Sequence, residues 1–509
     1  MRILTDENIF RSSYFKNICP CYEQFLEPEK LFSRLTDDPA EIKRRQDILR
    51  DLLDNSKLFG DLCSLSDTVK LYKATFDGMP DHDRGDFRLN LEYFDAACGV
   101  IELLDRFLKS AEYTGQYPWL VSFSKSVGEL AQKYSAEKMI AAWKQTFVPE
   151  ENMHACDFGF SLDDILWPKQ YKLLSMRAQE YTRRNCSYRI EQIKIPFVDR
   201  AHVGVIGSIR GINHAPVWWT HSKSDYSQSY ILKVYAANYL EEHAVSDAPF
   251  RVKLFATALI AELESIINEF VPYLCAAKIA LYWREKGIPF CIPEFGKPGE
   301  IDIKGLFNPY IVENEGIETT IENDIALSGE IAVVTGANRG GKTAFVTSVT
   351  LCQILFQLGF PIPAKSAKLG LFNGIITVFA GEEQGLIGTG RLGEELKKLA
   401  AGLKAAQEGN TLICFNEPLT GTSSRDGERI LAETLCILKE SEATGFVVTH
   451  LLGLAHALDF LNQVSGSAFV TLTAQTDGDK PLYKIIPAPA AETSHARAVV
   501  YDVMYNSTN

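Results

Sequence analysis

Apolar residues recur every three or four positions in two long stretches, 39–62 and 249–287, with charged residues between them. This spacing places the apolar side chains on one face of a helix. Pro39 suits the first turn of such a helix. The pattern predicts two amphipathic helices that pack into a core through these residues: Ile42, Ile48, Leu49, Leu52, Leu53, Leu58 and Leu62 in the first, and Phe255, Leu259, Leu263, Ile266, Ile267 and Phe270 in the second.

The pattern changes between these stretches and again after residue 306. Within 150–245, "IEQIKIPF" and "AHVGVIGSIRG" alternate as strands do. After 306, short apolar runs such as "IAVVT" and "LICF" alternate with helical stretches, which is typical of an α/β domain. The sequence therefore predicts a multidomain chain: a mainly helical part with an insertion, followed by a C-terminal α/β domain.

Composition narrows the class of protein. A chain of 509 residues is too long for a single hydrophobic core, so two or more domains are expected. Contents of 46% hydrophobic and 23% charged residues are ordinary for a globular protein. No apolar run approaches the roughly 18 residues of a membrane helix, so we expect no membrane partner. The N-terminus carries acids where a signal peptide is basic, and the eleven cysteines are scattered. Reduced cysteines and a cytoplasmic location are the expectation.

Charge bears on nucleic acid as a partner. The net charge of −13 argues against a protein that coats nucleic acid through its overall field. Between residues 165 and 225, however, ten Lys or Arg stand against four Asp or Glu, with aromatic residues among them. Basic side chains neutralise phosphates, and aromatic side chains stack on nucleobases. Arg183, Arg184 and Arg189 are therefore DNA-binding candidates. The alternative is a solvated face above a few core aromatics.

A phosphate-binding loop provides the strongest motif. Residues 336–343 fit G-x-x-x-x-G-K-[ST] between an apolar strand and a helix. Glycines let the backbone wrap a phosphate, the lysine reaches the outer phosphates, and the threonine hydroxyl ligates Mg²⁺. The predicted ATP site comprises Gly336, Ala337, Asn338, Arg339, Gly340, Gly341, Lys342 and Thr343.

The stretch "TLICFNEPLTGTSSRDG", 411–427, supplies the second half of this site. Asn416 stands where a carboxylate normally holds Mg²⁺, and its amide oxygen is a weaker, neutral ligand. Exchanging a charged for a neutral hydrogen bond costs on the order of 1 kcal/mol. Glu417 is placed to orient or deprotonate the attacking water. We therefore expect Mg²⁺ at Thr343 and Asn416, and a slow ATPase with Glu417 as its catalytic base.

These motifs resemble the ATPase domain of the MutS family of DNA mismatch-repair proteins. "TGANRGGKT" is similar to the family's phosphate loop, "NEPLTGTSSRDG" aligns without gaps on D-E-x-G-R-G-T-S-x-x-D-G, and Thr449-His450 matches its T-H element. The resemblance implies that Asn323 and Asp324 lie on the adenine side. It also implies that His450 contacts the γ-phosphate or water, although a lone histidine after a strand is often a capping residue. Asn308 stands where the family usually has histidine.

The resemblance also implies an organisation. Residues 1–305 would be a core and lever domain with a clamp-like insertion at about 150–245, and residues 306–509 a P-loop ATPase of the ABC type. This short form would lack the mismatch-recognition and connector domains. MutS-like sites are completed across a dimer by a serine, and Gly390 stands at that place. Thr389 or Arg391 could substitute in a homodimer with composite ATP sites.

Three functions follow as hypotheses. The first is a MutS-like ATPase that binds distorted, branched or mismatched DNA and switches with nucleotide state, in repair or recombination. The second is a nucleotide-gated factor of MutS descent that binds a protein partner without DNA function. The third, a chromosome-maintenance ATPase, needs a coiled coil between the half-sites, but Glu417 follows Thr343 by only 74 positions. No nuclease motif is evident.

Overall fold

The computed structural model describes most of the chain and divides it into two compact units. Unit 1 comprises residues 1–59 and 270–509, and unit 2 comprises residues 60–269. The described ranges are 2–4, 31–78, 117–133, 155–162, 168–177, 208–210, 248–337, 339–379, 391–419, 421–466, 468–478 and 480–489. No helix within these ranges has both the length and the hydropathy that crossing a membrane requires.

Long helices account for most of the described part of unit 2. Helix α2 spans Ser56–Gly78, α3 spans Pro118–Lys133, and α4 spans Ala248–Glu285, so α2 and α4 both continue into unit 1. Lys73 of α2 pairs with Glu264 of α4 at 2.7 Å, and Lys133 of α3 pairs with Glu262 at 2.6 Å. The span of α4 confirms the predicted helix over 249–287. Its apolar face is buried at Leu259, Leu263 and Ile267, whereas Ile266 is half-buried.

A small antiparallel sheet lies in the segment predicted as a clamp. Strand β2, Ala155–Leu162, pairs with β3, Pro168–Arg177, on one side and with β4, Ser208–Arg210, on the other. Strand β4 confirms only the end of the predicted strand "AHVGVIGSIRG". The DNA candidates Arg183, Arg184 and Arg189 lie outside the described residues, so their placement stays a prediction.

The N-terminal helix α1, Pro39–Asp54, belongs to unit 1 and is capped by Asp38, whose carboxylate accepts a hydrogen bond from the Ala40 amide at 2.9 Å. Gln46 is buried and donates to the Pro293 carbonyl at 3.0 Å. Residues 31–59 and 270–305 thus pack with the C-terminal part of the chain. The predicted domain boundary at 305/306 falls inside unit 1, within a strand.

A seven-stranded sheet forms the centre of unit 1, in the order β1-β10-β11-β12-β8-β13-β14. All neighbours are parallel except the antiparallel pair β13–β14. The strands are β1 Arg2–Leu4, β8 Ile331–Thr335, β10 Gly374–Phe379, β11 Thr411–Asn416, β12 Thr444–Val448, β13 Phe469–Asp477 and β14 Lys480–Pro487. Strands β8, β10 and β12 are buried along their whole length, as expected for a parallel sheet covered on both faces.

A second, four-stranded sheet has the order β5-β9-β6-β7, in which β6 runs antiparallel to both neighbours. Its strands are β5 Glu294–Phe295, β6 Glu300–Leu306, β7 Asn323–Ser328 and β9 Ser366–Leu369. The short helix α5, Pro309–Glu315, connects β6 to β7. Strand β7 alternates buried and exposed positions, so one face of this sheet lies against the core.

Helices cover both faces of the main sheet. Helices α7 Arg391–Ala406, α8 Ser424–Glu440 and α9 Leu452–Ser465 share one apolar cluster with Ile413, Phe415 and Val447. Helix α6, Lys342–Leu358, packs on the opposite face, where the Phe345 and Phe446 rings meet edge to face at 5.9 Å. The predicted C-terminal α/β architecture is confirmed.

Gly445 in β12 provides a test of this packing. Its φ is 143°, and an added Cβ would lie 2.0 Å from the Ile413 carbonyl oxygen in β11. We expect Gly445→Ala to lower the free energy of unfolding by about 3 kcal/mol, or to prevent folding, because strands β11 and β12 must separate. Urea denaturation measures the effect.

Gly409→Ala is the matched control, since φ is 82° there and the nearest atom lies 4.0 Å from the added Cβ. Its expected cost is about 1 kcal/mol, from the backbone conformation alone. Equal costs for the two variants would show that the close strand contact is unimportant.

Candidate functional site

A cavity of about 370 Å³ lies beyond the carboxyl end of β8. It extends from the loop 336–343 to the connection between β6 and β7. Its wall consists of Leu306, Asn308, Ile311, Glu315, Thr319, Thr320, Ile321, Asn323, Arg339, Gly340, Gly341, Lys342, Thr343, Ala344, Phe345, Ser348, Glu417 and Tyr483. The volume lies within the range of about 300–1,000 Å³ of small-molecule sites, so it can hold a nucleotide.

The parallel sheet brings the two halves of the site to the same edge. Asn416 at the end of β11 is paired with Val448 of β12, and Val448 with Val334 of β8. Because β8, β11 and β12 run in the same direction, the residues that follow them emerge together. The prediction that "LICFNEP" lies near the phosphate loop is confirmed, with β12 between them.

The loop itself is packed tightly against strand β13. At Gly336 φ is 120°, and an added Cβ would lie 2.9 Å from the Cβ of Ala474. A side chain there would push the loop away from the sheet, so glycine is required by both conformation and contact. The backbone amides that follow lie at the start of α6, where the helix dipole favours an anion.

Lys342, the first residue of α6, is only 5% exposed. Its ammonium donates hydrogen bonds to the carbonyls of Gly336 at 3.0 Å and Ala337 at 2.9 Å. Burial lowers the pKa of Lys342 below its usual range, and the nearby Glu417 carboxylate partly opposes this shift. A phosphate would supply the anionic partner that these neutral carbonyls do not provide.

Thr343 and Asn416 meet directly. The Thr343 hydroxyl donates to the Asn416 side-chain oxygen at 3.0 Å. Two neutral oxygens are thus in place for Mg²⁺, whose remaining positions would be filled by water and phosphate. The set fits magnesium but lacks the carboxylate usual at this position of P-loop NTPases. We therefore expect weak ion binding.

Glu417 follows β11 and lines the cavity. Its amide donates to the Val448 carbonyl at 2.9 Å, which fixes the backbone, and its φ is 49°. The carboxylate is only partly buried. His450 follows β12 at the same sheet edge and is exposed, but it does not line the cavity. Its contact with phosphate or water stays a prediction.

Backbone strain is concentrated around this cavity. Within the described ranges, six non-glycine residues have positive φ. Three of them, Arg339, Glu417 and Tyr483, line the cavity, and Leu419 follows Glu417 closely. Each such conformation costs on the order of 1 kcal/mol. Their concentration in one place is typical of a functional site.

Of the two residues predicted for the adenine side, only Asn323 lines the far end of the cavity. Asn323 lines the cavity, and its amide group also joins β7 to β14 by donating to the Tyr483 carbonyl at 3.1 Å and accepting from the Ile485 amide at 2.7 Å. Asp324 does not line the cavity. Its carboxylate accepts a hydrogen bond from the Gly305 amide at 2.8 Å instead.

Tyr483 and Asn308 line the cavity, although the sequence predicted no role in nucleotide binding for either. Tyr483 is 50% exposed, and its ring atom Cδ1 lies 3.4 Å from the position of a Cβ added at Gly341. Asn308 caps α5 by accepting from the Tyr310 amide at 3.0 Å and the Ile311 amide at 3.2 Å. An Asn-Pro pair before a helix signals such a cap. Nothing in the local sequence signals that Tyr483 belongs to this site.

Other predicted residues have no described side chain. Asn338 and Thr389 lie outside the described residues, and Arg391 is placed only as the first residue of α7. Their roles stay predictions.

Part of the chain matches a known family of proteins. Residues 332–501, which include the whole phosphate loop and the Asn416-Glu417 pair, match the family model described as MutS domain V. This part of the chain is therefore similar to the MutS family. The resemblance stated from the motifs is thereby confirmed.

Individual relatives match part of this chain. A DNA mismatch repair protein MSH3 of Phaeosphaeria nodorum is 32% identical over 210 residues, 40% of this chain and 18% of the relative. A DNA mismatch repair protein MutS of Thermus aquaticus is 28% identical over 254 residues, 50% of this chain and 29% of the relative. A MutS of Streptococcus pneumoniae is 29% identical over 205 residues, which cover 39% of this chain and 24% of the relative. The match thus spans less than a third of each relative.

Replacing the buried lysine tests whether this MutS domain V cavity binds nucleotide. We expect Lys342→Met to weaken ATP binding about 100-fold or more, because it removes a charged donor to the phosphates. Isothermal titration calorimetry measures the Kd.

Lys439→Met is the control, because Lys439 also donates to a backbone carbonyl, that of Gly329 at 3.1 Å, but does not line the cavity. Unchanged ATP affinity in Lys342→Met would contradict the assignment of the cavity as a phosphate site.

Proposed function

We propose that this chain is a MutS family member, a slow ATPase that binds DNA and changes conformation with its nucleotide state. ATP is the substrate, and Mg²⁺ would be held at Thr343 and Asn416. The observation that carries the proposal is the cavity in which the buried Lys342, the start of α6 and Glu417 surround one space. This is the set of groups that phosphoryl transfer to water requires.

The proposed chemistry assigns one role to each group. The loop amides and Lys342 bind the β- and γ-phosphates. Glu417 orients the attacking water and accepts its proton as the water oxygen bonds to the γ-phosphorus and the bond to the β–γ bridging oxygen breaks. Asn323 lines the far end of the cavity, where a base would lie, and the Tyr483 ring lines the cavity beside Gly341. Bound magnesium supplies charge neutralisation at the phosphates.

DNA binding is the second part of the proposal. The three relatives named above are DNA mismatch repair proteins, and the basic segment 165–225 offers cations and aromatics that suit a distorted or branched duplex. A homodimer with composite ATP sites, in which Thr389 or Arg391 would reach a partner subunit's phosphates, is the expected assembly.

A nucleotide-gated protein-interaction factor is the second candidate. The net charge of −13 favours it, because an acidic chain repels DNA outside its local basic segment. Nucleotide state would then control a protein partner.

The proposed base has a direct test. Glu417→Gln keeps the shape of the side chain and removes the proton acceptor, so we expect hydrolysis to fall at least about 100-fold while ATP affinity changes little. Steady-state phosphate release and calorimetry measure the two quantities.

Glu315→Gln is the matched control, because Glu315 also lines the cavity but on the connection between β6 and β7. Equal turnover by the Glu417→Gln variant and the wild type would mean that another group activates the water.

Coupling to DNA distinguishes the two candidate functions. We expect duplex, mismatched and branched DNA to bind with an affinity that falls with salt, and at least one form to stimulate ATP turnover. Electrophoretic mobility shifts over a salt series and turnover assays measure both.

Arg183→Glu with Arg184→Glu should abolish this binding, because charge reversal repels the phosphates. Absence of DNA binding by the wild type, together with normal ATP binding, would favour the protein-interaction factor.

A further inference from the structure

The phosphate loop carries a cation beyond its lysine. Arg339 lines the cavity and is exposed to it rather than buried in the loop. Its φ of 61° places it in the left-handed region, which arginine occupies only at a cost. Across the described part of the chain, no hydrogen bond or ion pair engages its side chain. A guanidinium that lines a cavity beside the loop is available to a ligand there.

The magnesium position shows the opposite change in charge. Asn416 offers an amide oxygen, already occupied by the Thr343 hydroxyl, where P-loop NTPases hold Mg²⁺ through a carboxylate. Magnesium is a hard cation that gives up its water reluctantly and favours anionic oxygens. Relative to that arrangement, the magnesium position lacks a negative charge. The phosphate loop carries a second positive charge, that of Arg339.

We propose that Arg339 takes over part of the charge neutralisation that magnesium normally provides, so that ATP binds this site with little dependence on Mg²⁺. The inference rests on the proposed function, because it assumes that the cavity binds ATP. A guanidinium can donate two parallel hydrogen bonds to phosphate oxygens. Lys342 and Arg339 together would then offer two positive charges to the triphosphate.

Charged side chains of both signs line the cavity. Its lining contains two cations, Arg339 and Lys342, and two carboxylates, Glu315 and Glu417. Glu417 is the carboxylate adjoining Asn416, and its proposed role is with water. Binding of ATP without Mg²⁺ would leave the proposed action of Glu417 on water unchanged. Binding and hydrolysis would thus differ in their need for magnesium: binding depends on Arg339, and turnover still gains from the ion.

The test measures ATP affinity with saturating Mg²⁺ and with excess EDTA, by calorimetry on the full chain. In the wild type we expect the two Kd values to agree within about threefold. In Arg339→Met, which keeps a long unbranched side chain without charge, removal of Mg²⁺ should weaken binding about tenfold or more, the size of one charge-assisted interaction. Arg339→Lys should lie between them. Asn416→Asp should restore magnesium dependence in the presence of Arg339.

Arg429→Met is the control, because it makes the same change in net charge at a residue that is 81% exposed on α8 and does not line the cavity. It should behave as the wild type does. Equal magnesium dependence in the wild type and Arg339→Met would overturn the inference while ATP binding itself stands. No ATP binding under either condition would overturn the proposed function instead. Circular dichroism spectra confirm that each variant is folded.

Discussion

The alignment of three parallel strands, β8, β12 and β11, is the constraint on which the site depends. Pairing places Val334, Val448 and Asn416 in one row across the sheet, so the phosphate loop and Glu417 leave the same edge. The Thr343 hydroxyl can then reach Asn416 from the start of α6. A slip of one residue in either pairing would turn these side chains to the other face. Gly445 permits the close approach of β12 to β11, because an added Cβ there would lie 2.0 Å from the Ile413 carbonyl oxygen.

The loop also depends on the hairpin beside it. Ala474 of β13 touches the Gly336 position, and Tyr483 of β14 faces Gly341. Asn323 ties the start of β7 to the same hairpin through the Tyr483 carbonyl and the Ile485 amide. One short hairpin therefore supports the phosphate loop and the far wall of the cavity together. A ligand spanning both ends would bind to a preformed frame, which reduces the entropy lost on binding.

The two cations of the cavity, Lys342 and Arg339, both lie in the phosphate loop, whereas Glu315 lies on the connection between β6 and β7. Lys342 is buried against the carbonyls of its own loop, and this burial lowers its pKa. Four non-glycine residues with left-handed backbone conformation lie nearby. The costs of such burial and backbone strain persist where surrounding structure enforces them and a ligand offsets them. The unusual feature is the charge distribution, with an amide in the carboxylate position and an arginine in the loop.

The sequence by itself determined the type of fold and the phosphate half of the site. The motif at 336–343 and the strand before Asn416 have fixed local geometry, so their structure follows from residue spacing. The amphipathic pattern predicted α4 for the same reason. Only the tertiary structure decided that Asn323 reaches the cavity while Asp324 turns to Gly305, because alternate residues of a strand face opposite sides. It also brought Tyr483 to Gly341 and joined residues 31–59 to unit 1, since both depend on contacts between residues far apart in the chain.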